Sequence, residues 1–286
     1  MIGMVSCLPL VVFLFFSANA LLASPALPVI SSSGGRSPPP PSPSLHSSCP
    51  ANFTSLSALR STIAKEIRYA GHHNFIGRPV AGYNAAECIL TVQAATALVA
   101  VQRILWEQKV SLKVYDCYRP QKAVDDFLRW SLDLRDQAMK GEFFPRVPKA
   151  DLFSDGYIAV ESAHSKGSTV DVTLISIPAD SQEPYNPGDR LHPCHWPEGV
   201  RYDDSSLDMG TGFDCFDMLA HTDDPRVTEE QRGHRDLLKK TMESQGWENY
   251  PLEWWHFTLR DEPFPDTFFD FDIEPGCGLD DPSLYE

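Results

Sequence analysis

The sequence predicts a single α+β domain in which helices flank a central antiparallel sheet. Segments with the apolar spacing of helices and segments with the alternation of strands both occur along the chain. They do not follow the regular strand–helix–strand order that builds a parallel α/β sheet. With 286 residues, 42% of them hydrophobic, the chain is long enough for one sizeable domain or two small ones.

The first 48 residues are expected to lie outside that domain. Leu8–Phe16 is a short apolar run and Ser17–Ala20 resembles a cleavage site, so residues 1–20 are interpreted as a secretory signal peptide. Because no lysine or arginine precedes the run, an uncleaved membrane anchor is the alternative. Residues 21–48 are rich in proline and serine, which predicts a disordered spacer. The folded domain is expected to span residues 49–286.

Four helices are predicted from apolar spacing and from end signals. Leu56–Tyr69 has helical spacing of moderate quality, and Ala94–Leu105 is apolar all round, which indicates a buried helix. A third helix has Pro120 in its first turn and an apolar face made of four residues: Ala123, Phe127, Trp130 and Leu134. A capping box at residues 228–231 begins the fourth helix, which ends at Gly246.

Three strands and two irregular segments complete the predicted domain. Val110–Asp116 alternates, Thr169–Ile175 is β-branched and apolar, and Trp254–Leu259 is the last strand. Asn74–Val80 is expected to be a loop. Residues 177–208 are rich in proline, aspartate and serine, which predicts a long surface insertion.

Charge and cysteine content limit the partners and indicate the compartment. The net charge of −15 argues against nucleic acid or an anionic membrane surface as a partner. After removal of the signal no stable membrane insertion is expected, because no other run is long enough to span a bilayer. Six cysteines follow Cys7, and an even number permits up to three disulfides in an oxidising compartment. The protein is therefore expected to be secreted or extracytoplasmic.

Two distant stretches offer candidate metal ligands. His164 and Asp171 lie seven residues apart across a glycine turn, with the aspartate inside the following strand, and His256 lies far down the chain. His164 and Asp171 taken alone are more often an ordinary hydrogen-bonded pair. Together the three side chains supply nitrogen and oxygen ligands and leave a fourth tetrahedral position for water, as a catalytic zinc site requires. The prediction is one Zn²⁺ ion per chain, bound at the sheet.

Glu253 and Arg119 are the candidate catalytic groups beside that metal. Glu253 would act as a general base on the water, and a guanidinium fixed between a strand and a helix could stabilise an oxyanion. Residues three apart in a strand point to opposite faces. Glu253 and His256 can therefore reach one site only if the backbone bends at Glu253 or the strand begins after it.

Several motifs in one order give the chain a resemblance to a known family. The three most specific are Tyr115–Pro120, Ser162–Asp171 and Glu253–His256. From about residue 67 to residue 272 the chain resembles the VanX-type D-alanyl-D-alanine dipeptidases. The departures are the signal peptide, the spacer, the insertion and the extra cysteines, which bear on location and physiological substrate more than on chemistry.

The resemblance implies a role for each candidate residue and a small dipeptide as the substrate. It implies that three protein ligands bind zinc: His164, Asp171 and His256. Glu253 would be the catalytic base, and Arg119 would stabilise the transition state. Tyr69 and Asp214 would hold the substrate ammonium, while Ser162 and the neighbouring backbone would hold its carboxylate.

Two alternatives to the dipeptidase hypothesis remain at this stage. A zinc carboxypeptidase or endopeptidase would use the same metal site on longer cell-wall peptides. A zinc-stabilised binding protein without catalysis, such as the related hedgehog signalling domain, is the other. The presence of both Glu253 and Arg119 argues against this second alternative.

Cysteine pairing is predicted in part. Cys49 and Cys277 flank the two ends of the region that resembles the family, and the termini of a domain often lie close together. We therefore expect these two residues to be bonded or adjacent. Cys88 and Cys117 could pair with each other or remain buried thiols.

Overall fold

The structure, a computed structural model, describes residues 49–278. The predicted signal peptide at 1–20 and the predicted spacer at 21–48 lie outside the described residues, as do residues 279–286. Between residues 49 and 278 the fold is α+β, as predicted, with helices flanking a sheet. None of the helices in this range combines the length and the hydropathy that a bilayer crossing needs.

A five-stranded sheet forms the centre of the fold. Its strands are, in spatial order, β2 (Ala64–Lys65), β4 (Val110–Asp116), β5 (Thr169–Ser176), β7 (His256–Leu259) and β6 (Trp247–Asn249). β2 runs parallel to β4, whereas the other neighbouring pairs are antiparallel. The sheet is therefore mixed, and the prediction of an antiparallel sheet is wrong at this edge. A second, two-stranded sheet pairs β1 (Phe53–Ser55) with β3 (Ile89–Thr91).

The parallel pair is possible because the chain between β2 and β4 contains a long helix. Parallel neighbours need a crossover connection, and α1 (Val92–Glu107) provides it. The other helices are α2 (Gln121–Leu132), α3 (Lys140–Phe143) and α4 (Glu229–Ser244), with 3₁₀ turns at Arg68–Ala70, Lys149–Asp151, Ala163–Lys166 and Met218–Ala220. The predicted capping box is confirmed, since the Thr228 and Gln231 side chains each bind the other residue's backbone N–H.

The predicted helix at 56–69 is wrong. This segment forms turns, the short strand β2 and the start of a 3₁₀ turn. Serine hydroxyls accept from backbone amides along it: Ser55 Oγ from Ala58 N at 3.0 Å and Ser61 Oγ from Ile63 N at 3.2 Å. Such local bonds compete with helix formation, which apolar spacing alone cannot reveal. Leu134 was also placed wrongly on the face of α2, because that helix ends at Leu132.

The two faces of the sheet have different roles. α1 contacts both β4 and α4, and α4 also contacts β5 and β6, so both helices cover one face. Val170, Val172 and Leu174 of β5 are fully buried and alternate with Asp171 along the strand. Because successive strand residues point to opposite faces, Asp171 projects from the other face of the sheet. That face carries the polar side chains described below.

The segment 177–208 is more buried than the predicted surface insertion would be. It contains no strand or helix, but Cys194 and Asp204 within it are buried. The Asp204 carboxylate lies 3.2 Å from Nη2 of Arg68 and is hydrogen-bonded to the Tyr115 hydroxyl. A buried carboxylate with these partners ties the segment to the end of the sheet. The expectation of a surface insertion therefore fails at these residues.

Three disulfides cross-link the described chain. Cys49 is bonded to Cys277, as predicted from their positions at the two ends of the domain. Cys88 is bonded to Cys117, which decides between the two possibilities left open for that pair. The third bond, which the sequence did not indicate, joins two cysteines: Cys194 and Cys215.

Candidate active site

Two histidines and one aspartate meet at the polar face of the sheet. His164 lies in the 3₁₀ turn before β5, while Asp171 in β5 and His256 at the start of β7 are direct partners in the sheet register. Nε2 of His164 lies 3.3 Å from Oδ2 of Asp171 and 3.3 Å from Nδ1 of His256. The third separation, from His256 Nδ1 to Asp171 Oδ1, is 3.2 Å. The three predicted ligands are therefore close together.

This arrangement fits a metal ion. Ligand atoms bound tetrahedrally to zinc at 2.0–2.1 Å lie about 3.3–3.4 Å apart, close to the three separations. Nδ1 of His164 donates to the Cys117 carbonyl at 2.7 Å, so Nε2 keeps a lone pair that faces the other two ligands. Oδ1 of Asp171 is buried and receives no well-oriented hydrogen bond. Such an oxygen is available to a cation.

Glu253 reaches the same place because the chain turns before β7. Residues 251–255 form a turn, and the strand begins at His256, which is the second of the two geometries that the sequence allowed. The Asn249 amide donates to the carbonyls of Glu253 and His256 at 3.1 and 3.0 Å, which holds the turn. Oε2 of Glu253 then lies 3.4 Å from Nδ1 of His256. Burial raises the pKa of Glu253.

Arg119 lies beside the three ligands and is held by a carboxylate that the sequence analysis missed. Nε and Nη2 of Arg119 are both 2.9 Å from Oδ2 of Asp116, and Nη2 is 3.6 Å from Oδ2 of Asp171. The Tyr83 hydroxyl donates to the other oxygen of Asp116 at 2.6 Å. This fully buried carboxylate also lies 3.5 Å from Nδ1 of His164. It therefore links the guanidinium to a candidate ligand.

A β-bulge explains how Asp116 reaches this face. Val114 pairs with Val172, but Asp116 pairs with Asp171, so the register shifts between the two positions. A bulge turns a side chain to the face that regular alternation would deny it. A buried aspartate at the end of an apolar strand was the one signal in the sequence that could have pointed to Asp116.

Asp214 and Tyr69 form the other side of the site. The Tyr69 hydroxyl donates to Oδ2 of Asp214 at 2.7 Å, and both side chains are buried. Burial, followed by the charge of Asp171, raises the pKa of Asp214 well above its ordinary value. A carboxylate in this position gains from an ammonium partner, because the ion pair offsets its desolvation.

Ser162 is the last of the predicted site residues. It precedes the 3₁₀ turn of His164, and its Oγ accepts from the His164 backbone N–H at 3.3 Å. The hydroxyl hydrogen remains available to an acceptor in the cavity, since a serine hydroxyl donates as well as accepts.

One cavity of about 540 Å³ brings the candidates together. All eight predicted site residues line it: Tyr69, Arg119, Ser162, His164, Asp171, Asp214, Glu253 and His256. Further carboxylates that the sequence analysis did not single out, Glu161, Glu248 and Glu262, also line this cavity. Among residues 49–278, the two histidines and Asp171 are the group of three or more candidate ligands close enough to share an ion.

Comparison with known proteins agrees with this geometry. A sequence model described as D-ala-D-ala dipeptidase matches residues 50–188 and 199–274. A D-alanyl-D-alanine dipeptidase of Streptomyces coelicolor is 35% identical over 78% of this chain and 98% of its own length. Enzymes of the same name from Enterococcus faecalis and Enterococcus faecium are 34% and 30% identical, over 77% and 78% of this chain and 98% of their own lengths.

The two ranges of the sequence-model match cover most of the described residues and include every residue of the cavity lining. Ten residues, 189–198, lie between the two matched ranges, so most of the segment 177–208 that we interpreted as an insertion is shared with the family. The extent of the family match, the sequence identity to these enzymes and the geometry of the candidate metal ligands lead to the same conclusion. The chain belongs to the D-ala-D-ala dipeptidase family and is a metallopeptidase.

Proposed function

We propose that the protein is a zinc-dependent dipeptidase that hydrolyses D-alanyl-D-alanine. The observation that carries the proposal is the single cavity lined by the candidate metal ligands, the candidate base and groups for both ends of a dipeptide. The names of the three relatives support the choice of substrate. His164, Asp171 and His256 would hold the ion.

The chain's own groups then divide the work of hydrolysis. A zinc ion held by His164, Asp171 and His256 would supply Lewis-acid chemistry, lowering the pKa of water and polarising a peptide carbonyl. Glu253, next to the ligands, takes the proton from the attacking water and delivers it to the leaving amine. The Arg119 guanidinium faces the developing oxyanion and stabilises its charge. Because Asp116 already fixes that guanidinium, little reorganisation is needed when the charge develops.

The two ends of the substrate are recognised by different groups. Asp214, supported by the Tyr69 hydroxyl, pairs with the substrate ammonium. Ser162 and the backbone beside it donate to the carboxylate. These contacts place the scissile bond between the base and the guanidinium, and holding reactants in this way removes much of the entropic barrier.

We further propose that the protein acts outside the cytoplasm. The three disulfides support this location, because such bonds persist in oxidising compartments. Residues 1–20 would act as a cleaved signal peptide and residues 21–48 as a spacer before the domain at 49–286. Mass spectrometry of the protein recovered from the growth medium tests this. A mature N-terminus near residue 21 is the expected result, and full-length protein retained with the membranes would contradict it.

The choice of D-alanyl-D-alanine is tested with the four stereoisomers of alanyl-alanine. A pocket that contacts both charged ends and the scissile carbonyl fixes the positions of the methyl groups. We expect kcat/KM to be at least about 10-fold higher for the D,D isomer than for any other, the scale of discrimination a shaped pocket achieves. Equal or faster hydrolysis of the L,L isomer would overturn the assigned substrate and leave the peptidase chemistry intact.

Asp116→Asn is expected to lower kcat about 10- to 100-fold, because it removes the charge that holds Arg119 beside the oxyanion. Asp126→Asn is the matched control. Asp126 also binds an arginine, Arg78 at 2.8 Å, but neither side chain lines the cavity. Steady-state kinetics of both variants decide the point. If the two variants lose activity equally, or if Asp116→Asn keeps normal kcat, Asp116 does not position the guanidinium.

A further inference from the structure

The ten residues between the two ranges of the family match are joined by a disulfide to a residue that lies between two cavity-lining residues, Asp214 and Phe216. Cys194 lies in this segment, 189–198, and is bonded to Cys215. Cys215 follows directly after Asp214, the carboxylate to which the proposed function assigns the substrate ammonium. Both cysteines are buried. A part of the chain that is not matched to the family is therefore attached next to a group that the dipeptidase mechanism needs.

Cys194 contacts the loop on both sides of Asp214. Its carbonyl accepts from the Gly212 N–H at 2.8 Å, two residues before the aspartate, and its sulfur is bonded to the residue after it. Cys194 is itself anchored, since its N–H donates to the Glu142 carbonyl at 3.0 Å. Cys194 therefore holds the chain on both sides of Asp214, by a hydrogen bond before it and a disulfide after it. Cys194 is itself hydrogen-bonded to α3.

The backbone conformation of Asp214 explains why the chain on both sides of it needs to be held in place. Its φ is +54°, in the left-handed region that residues other than glycine seldom occupy. A residue persists in this conformation only when its surroundings hold it there. The side chain depends on this backbone, because it must reach the Tyr69 hydroxyl at 2.7 Å while facing the cavity. A loop free to relax to negative φ would move the carboxylate away from both.

We propose that the Cys194–Cys215 disulfide positions Asp214 for recognition of the substrate ammonium. The inference rests on the proposed dipeptidase function and adds a positioning element to it. Loss of the bond should weaken a contact made alike in the bound substrate and in the transition state, so KM should rise while kcat stays nearly constant. We expect KM for D-alanyl-D-alanine to rise about 10-fold, the scale of ordering one charged side chain on binding.

The experiment compares two variants that each lack one disulfide. Cys194→Ala with Cys215→Ala removes the bond beside the pocket, and Cys49→Ala with Cys277→Ala removes the bond between the ends of the domain. The first pair is 21 residues apart and the second 228, so the control should lose at least as much stability. Thermal unfolding, zinc content, kcat and KM are measured for both. The prediction is a raised KM in the first variant alone.

Combination with Asp214→Asn separates positioning from a general loosening of the fold. If the disulfide acts through Asp214, its removal in the Asp214→Asn background should raise KM by less than about 2-fold further, because the group it positions is already disabled. A full additional increase of about 10-fold would overturn the proposal. So would an unchanged KM in the disulfide variant, or an equal rise in the control.

Failure of the variant to fold is also informative. Cys194→Ala with Cys215→Val refills part of the buried volume and is assayed in the same way. If neither version folds while the control does, the bond serves the fold and the positioning role is wrong. The wild-type assay keeps the two proposals distinct. A wild-type protein that does not cleave the dipeptide contradicts the proposed function, whereas cleavage with an unchanged KM in the variant contradicts only this inference.

Discussion

Replacement of Glu253 by alanine is expected to lower hydrolysis of D-alanyl-D-alanine about 10²- to 10⁴-fold, the range that one general base contributes. Zinc content should stay near one ion per chain. Glu253 lies 3.4 Å from His256, outside the group of three candidate ligands whose donor atoms lie within 4.8 Å of one another. The turn before β7 brings its carboxylate beside the candidate ligands without adding it to that group. Stopped or continuous assays together with metal analysis measure both quantities.

Two further variants make this result specific. His256→Ala removes a ligand and should lose both metal and activity. Glu248→Ala removes another carboxylate that lines the same cavity, from β6. It should keep kcat within about 3-fold of wild type because Glu248 pairs with Thr258, two residues beyond His256, and is not one of the candidate ligands. Near-normal turnover in Glu253→Ala, or loss of its metal, would show that Glu253 is not the base.

N-acetylation of the dipeptide is expected to reduce kcat/KM roughly 30- to 4,000-fold. This corresponds to a loss of about 2–5 kcal/mol in transition-state stabilisation, which is typical of a broken buried charge pair. The acetyl group removes the ammonium that would pair with Asp214 and adds bulk at the same point. The carboxylate is then left buried without its counter-ion. N-acetyl-D-alanyl-D-alanine and cell-wall pentapeptide should therefore be nearly inert.

Asp214→Asn is the internal control for this preference. It should weaken cleavage of the free dipeptide and leave the acetylated one almost unaffected, so the ratio between them should fall towards one. Comparable kcat/KM for the two substrates in the wild-type protein would contradict the assignment. That outcome would favour the carboxypeptidase alternative, which acts on longer peptides with a blocked amino end.

Where the sequence could be interpreted correctly, the local pattern carried the information. Val110–Asp116 and Thr169–Ile175 are strands within one residue of their predicted ends, since alternation and β-branched runs are local signals. The position of Glu253 could be reduced to two geometries from the strand period alone. The resemblance to the family then suggested the roles of the site residues, and the structure places those residues around one cavity.

The features that escaped prediction depend on contacts between distant parts of the chain. The parallel pairing of β2 with β4 depends on where the crossover helix packs. The orientation of Asp116 depends on a β-bulge that the sequence of β4 does not indicate. The Cys194–Cys215 bond and the burial of Asp204 likewise follow from the folding of 177–208 against the domain. Spacing and composition contain none of this.

Metal removal and reconstitution test the central claim most directly. The protein is dialysed against a chelator until metal analysis finds less than about 0.05 zinc per chain, and hydrolysis of free D-alanyl-D-alanine is then followed as zinc is added back. The account predicts that the metal-free protein is inactive, that activity returns linearly and saturates at one zinc per chain, and that His256→Ala does not recover. Full hydrolysis by the metal-free wild-type protein would contradict it.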